Sequence, residues 1–76
     1  MELHFSHHAL QRMKQRHVDK ENILLTLESP DDVWSGENGE EISVRDFGTY
    51  VVRVVYQKRE PEVYVIITVI RSKTDR

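Results

Sequence analysis

Seventy-six residues without a single cysteine exclude disulfides and thiolate-metal sites, so a chain near the lower limit for unaided folding must rely on an aliphatic core. With 38% hydrophobic and 32% charged residues it is too apolar for a disordered segment and too polar for a membrane span. The longest apolar stretch, Val63 to Ile70, is too short to cross a bilayer and no basic-then-apolar signal segment precedes it, so the expectation is one soluble, cytoplasmic domain over 1–76 with no membrane contact.

The first helix is expected from His7 to His17, a run free of Gly, Pro and β-branched residues with Ser6 placed to cap it. At 100° per residue Leu10, Met13 and His17 share one face, flanked by Ala9, and that is the face expected to be buried. Asp19 is the N-cap of a second helix whose stripe of Ile23, Leu24 and Leu27 ends before Ser29-Pro30. With a tight turn from Arg16 to Asp19, the two helices are expected to form a hairpin.

After Pro30 the period changes. Val33-Trp34-Ser35, Glu41 to Phe47, Tyr50 to Gln57 and Glu62 to Ser72 are rich in β-branched and aromatic residues, and Gly36, Gly39, Gly48 and Lys58 to Pro61 separate them. The expected fold class is α+β, with two N-terminal helices packed on one face of a three- to four-stranded antiparallel sheet. Simple alternation along the last strand puts Val63, Val65, Ile67 and Val69 on one side and Tyr64, Ile66, Thr68 and Ile70 on the other, with the side holding Tyr64 and Thr68 left open. Trp34 is expected to plug the helices over the sheet.

A net charge of -2 argues at first against a nucleic-acid binder, but the charge is sorted along the chain. Residues 1–20 carry four Lys/Arg against two acids, 21–48 one against eight, and 49–76 six against three, balances of +2, -7 and +3. All four histidines lie in the first segment. His8, Arg12 and Arg16 are spaced i, i+4, i+8 along one side of the first helix, which suits either an ordinary solvated face or a phosphate site. In the latter, the guanidiniums grip phosphate and an imidazole titrating near neutrality exchanges its proton.

On the strands, Arg53, Tyr56, Tyr64, Arg71 and Lys73 are the candidate RNA-binding residues, with Tyr50 and Arg76 nearby. The same aromatic and cationic residues suit a protein interface or plain packing equally well. His4, His7 and His8 cluster, but no His-Glu-x-x-His pattern and no cysteine accompany them, so no metal is expected. There is no phosphate-cradling glycine loop and no nucleophile elbow, so no cofactor is expected.

The string Phe5-Ser6-His7-His8-Ala9, then Arg12-Met13 and Arg16, a second helix ending in Ser29-Pro30-Asp31, a turn at Gly48 and a closing Ile66-Ile67-Thr68-Val69 strand resembles the bacterial and archaeal family known as "domain of unknown function 4258" over nearly the whole chain. The family's order of elements is similar to that of RelE/ParE-type toxins of toxin–antitoxin pairs, small metal-independent ribonucleases. The resemblance implies a RelE/ParE-like fold and a catalytic set of His8, Arg12, Arg16 and Thr68. In such an endoribonuclease His8 acts as acid or base, Arg12 and Arg16 hold the developing phosphorane, and Thr68 with Arg71 orients the phosphate. Implied partners are RNA and an antitoxin protein, with a homodimer as a further candidate and DNA not expected. Against the basic character of those toxins, this chain is acidic overall and its last tyrosine is Tyr64, and the alternative is a non-enzymatic module that oligomerises or binds a partner through an exposed sheet face.

Overall fold

The computed structural model describes residues 1–74, so Arg76, counted with the basic C-terminal residues, lies outside the described residues. Strand β1 (Glu2–Phe5) is followed by helices α1 (His7–Arg16) and α2 (Lys20–Glu28) and by four strands, β2 (Asp32–Ser35), β3 (Glu41–Asp46), β4 (Tyr50–Glu60) and β5 (Val63–Lys73). The sheet has five strands in the order β1-β5-β4-β3-β2. Strands β2 to β5 form an antiparallel meander, and β1 runs parallel to β5 from Glu2↔Val63 to Phe5↔Ile66. The expectation of three or four antiparallel strands therefore gives way to a mixed sheet of five. Glu2 to Phe5 hold no β-branched residue, and the pairing joins the two ends of the sequence, which no local pattern reports. No described helix is long and apolar enough to cross a membrane.

Both helix starts follow the capping residues: Ser6 Oγ accepts from Ala9 N–H at 2.9 Å and Asp19 Oδ1 from Asn22 N–H at 2.8 Å. Helix α1 ends at His17 in the left-handed conformation, with Val18 N–H donating to Met13 O at 3.0 Å and the Val18 side chain buried. Each helix then packs on strands, not on the other helix: α1 on β5 and β1, α2 on β4 and β3. This replaces the expected helical hairpin, because each short helix buries more apolar surface on the Val-rich central strands than on a neighbour of its own size.

The core lies between the helices and one face of the sheet, built from Ala9, Val18, Ile23, Val52, Val54, Tyr56, Ile66 and Val69. Helix α1 is rotated from its expected setting. Ala9 is fully buried and Met13 packs on the core, while Leu10 is 52% exposed and His17 is on the surface. The small side chain at Ala9 lets the helix sit close to β5, and this brings Ser6 and Arg16 within bonding distance of that strand. Ser6 Oγ donates to Ile67 O at 3.0 Å and Arg16 Nη1 to Val69 O at 2.7 Å.

Strand β5 carries a bulge that changes its two faces. Tyr56 is opposite Ile66 and Val55 is opposite Thr68, which leaves Ile67 as the extra residue. Tyr64 and Ile66 consequently lie on the helix side and Thr68 and Ile70 on the other, so the expected grouping of Tyr64 with Thr68 does not form. Trp34 also departs from expectation: on the edge strand β2 it faces away from the helices and is 45% exposed.

Candidate functional site

The sheet face turned away from the helices is covered by no described element, and its composition is unusual for a solvated surface. Register places Trp34, Ile42, Val55 and Thr68 in one row and Asp32, Val44, Arg53 and Ile70 in the next. Strand β3 is turned against the usual rule: its apolar Ile42 and Val44 face outward and its polar Ser43 and Arg45 face the helices. Ser43 is buried there, its hydroxyl 3.1 Å from the hydroxyl of Tyr56. Burial pushes the Tyr56 phenol above its ordinary value, with nearby Glu41 adding to the rise and the Ser43 bond opposing it.

Arg53 stands near the middle of this open face, on the central strand of the five. Its guanidinium donates to Ser72 Oγ at a long 3.4 Å and lies 6.0 Å from the Trp34 ring centroid. Trp34 Nε1 in turn donates to Asp32 Oδ2 at 2.5 Å, which fixes the indole against its own strand.

On the helix side the arginines tie helices to strands. Besides Arg16 on Val69 O, Arg71 Nη1 donates to His17 O at 3.0 Å, and Arg45 Nη1 to Ser29 O at 2.6 Å. His17 and Ser29 close the two helices, so cations meet the carbonyl ends of both helix dipoles. Arg71 also lies over the Tyr50 ring at 4.0 Å, Tyr50 stacks on Phe47 at 5.2 Å, and Arg45 lies over Phe47 at 5.4 Å. Two stacked rings are thus held between two guanidiniums on the helix side of the sheet.

The residues singled out for chemistry are thus distributed over two faces. His8 is exposed on α1, and Arg12, half-buried, donates to Gln15 Oε1 at 2.7 Å on the same helix. Arg16 lies along the helix–sheet boundary. Thr68 sits on the far side of the sheet, opposite Val55, so the sheet itself separates it from His8 and Arg12.

Among the residues considered for RNA, Tyr56 is 5% exposed and bonded within the core. Tyr64 packs against Tyr56 at 5.4 Å, with Lys58 over its ring at 5.6 Å. Arg71 is committed to His17 and Tyr50 on the helix side, Lys73 is exposed opposite Tyr50, and Arg53 alone occupies the open face. No group of three metal-ligating side chains converges among the described residues.

Sequence reasoning missed Ile42, Val44 and Trp34 as surface residues. The alternation Ile42-Ser43-Val44-Arg45 was visible, but a period of two gives two faces without saying which one the helices cover.

A family model described as "Domain of unknown function (DUF4258)" matches residues 5–71. Comparison with curated proteins and with solved structures gives no significant match. The matched span contains both helices, β2, β3 and β4 entire and β5 as far as Arg71, and the chain therefore belongs to the DUF4258 family of domains of unknown function.

Proposed function

We propose that the chain is a non-enzymatic protein-interaction module that engages another protein through its open sheet face. The observation that carries this reading is the setting of β3: Ile42 and Val44 are directed outward beside Val55, Ile70 and Trp34, while Ser43 takes the buried side. A sheet with one solvated face normally alternates apolar-in and polar-out, and a contiguous outward-facing apolar field, here half-buried except at Trp34, is a common mark of an interface. The aromatic and guanidinium side chains at that field, Trp34 and Arg53, are of the types enriched where partners bind.

The toxin-like reading, a metal-independent endoribonuclease or ribosome-directed protein, is favoured by one observation on α1. His8 is exposed one turn before Arg12, whose bond to Gln15 is a surface contact that phosphate could replace. On that reading His8, Arg12 and Arg16 act on RNA from the helix side, and Thr68 would have to act through the sheet.

Two sets of variants separate these readings. The tagged chain is expressed in a bacterial host with Val55→Lys, or with His8→Ala and Arg12→Ala, and both co-purifying protein and cleavage of single-stranded RNA are measured. The interaction reading expects a stoichiometric protein partner that Val55→Lys loses and the helix variants keep. RNA cleavage that His8→Ala and Arg12→Ala abolish, with Val55→Lys fully active, would overturn it in favour of the nuclease.

A further inference from the structure

We infer that the occupant of the open face is an amphipathic helix of a different protein, one that sets a carboxylate on Arg53 within its apolar stripe. The inference rests on the open face being a docking surface and names what docks there.

Arg53 is the one cation in the two central rows of that face, flanked across the sheet by Val44 and Ile70, with the Trp34 ring and Ser72 Oγ near its guanidinium. Among the described residues no carboxylate lies within ion-pair distance of its guanidinium, and its polar contact with Ser72 is long. The acids closest to it by register are already engaged. Asp32 accepts from Val33 N–H at 2.9 Å with one oxygen and from Trp34 Nε1 with the other. Asp46 accepts from Gly48 N–H at 2.8 Å in the β3–β4 turn. While the face is wet, water solvates the guanidinium. Once a partner covers it, that water is lost, and a buried guanidinium without a counter-charge is strongly unfavourable. A partner that fits the apolar residues must therefore bring an anionic group to the centre of its own contact surface.

This requirement argues against a second copy of the chain. Two such sheets stacked face to face over their full extent bring central strand over central strand, which carries an Arg53 guanidinium from each chain into the covered area. Like charges brought into one covered area repel strongly, and each chain's own carboxylates lie towards the rim or are engaged.

Size is consistent with a single helix. Four strands at ~4.8 Å spacing give an apolar field roughly 15–20 Å wide, enough for one helix ~10 Å in diameter with its flanking side chains.

The test titrates the full, isotope-labelled chain with two synthetic amphipathic helical peptides that differ only in Glu or Lys at the middle of a leucine stripe. The Glu peptide is expected to move the amide resonances of Ile42, Arg53, Val55 and Ile70 and to bind at least about tenfold more tightly than the Lys peptide. Arg53→Glu should reverse that order, and Arg53→Gln, which keeps the stem, should abolish the preference. Equal binding of both peptides to this face overturns the inference and leaves the face a docking surface. A wild-type dimer in sedimentation that Val55→Lys disperses also overturns it, since the occupant is then a second copy. Binding of single-stranded oligouridylate in competition with the Glu peptide overturns it in favour of RNA. No response of the open-face resonances to any of these probes overturns the inference and removes support from the docking reading as well.

Discussion

Tyr56 shows how one side chain can look functional in sequence and be structural in the fold. Its ring is buried against Tyr64, and its hydroxyl shares a hydrogen bond with Ser43, the polar residue that β3 turns inward. Burial is the main reason its pKa rises above 10.0, so the folded chain keeps the phenolic proton to higher pH than the unfolded chain does. The folded state therefore binds more protons in that window, and this contribution to stability is complete below about pH 10 and is lost as pH climbs through the raised pKa. Tyr56→Phe is expected to cost about 1 kcal/mol at pH 7, because Ser43 loses its partner. It should also flatten the alkaline loss of stability, and urea unfolding at pH 7 and above pH 10 measures both effects. In the sequence, Tyr56 was indistinguishable from a stacking residue, because aromatic identity carries no information about which face of a strand is covered.

At the scale of elements, the arginines divide into those that hold helices to the sheet and those that do not. Arg71 bonds the closing carbonyl of α1 and covers Tyr50, whereas Arg12 bonds only within α1. Arg71→Ala is expected to lower stability by about 1–2 kcal/mol, and Arg71→Lys should not restore it, because an ammonium lacks the planar face that stacks on the ring. Arg12→Ala should stay within about 0.5 kcal/mol of the parent. Thermal unfolding of the three variants checks this, at roughly 4–8 °C per kcal/mol for a domain of this size.

The helices and the four later strands were legible from caps, proline and β-branched runs, and their bounds agree closely with the sequence: α2 ends at Glu28, just before Ser29-Pro30. Strand β1 was not legible. Its residues pair with Val63 to Ile66 at the other end of the chain, and its identity as a strand exists only through that pairing. The bulge at Ile67 was hidden for a related reason: an extra residue is defined by the partner strand, not by the sequence that contains it.

Across the whole molecule, a single core is shared by two helices that do not pack on each other. Ile23 from α2 and Ala9 from α1 meet Val52, Val54 and Val69 in one buried cluster. Ile23→Ala is expected to cost about 2–5 kcal/mol and to loosen both helices together, whereas Leu10→Ala, at an exposed position on α1, should leave stability within about 0.5 kcal/mol. Hydrogen exchange of amides in α1 and α2 distinguishes loss of the shared core from fraying of one helix.

The sorted charge is also resolved at this scale. The basic first and last segments do meet, since α1 lies on β5, but Arg16 and Arg71 are spent on backbone carbonyls, so their proximity builds a joint between elements before it builds a phosphate surface. Composition excluded thiol chemistry, and local interactions determined the caps, the helix limits and the strand limits, because each of these depends on residues close together in the sequence. Which strand face the helices cover, the inward turn of Ser43, the parallel β1 and the placing of Arg53 on the uncovered face were decided by tertiary structure alone. Each of these depends on how distant segments share a limited apolar surface, and in a chain with two short helices that surface is enough to cover one side of the sheet and leave the other open.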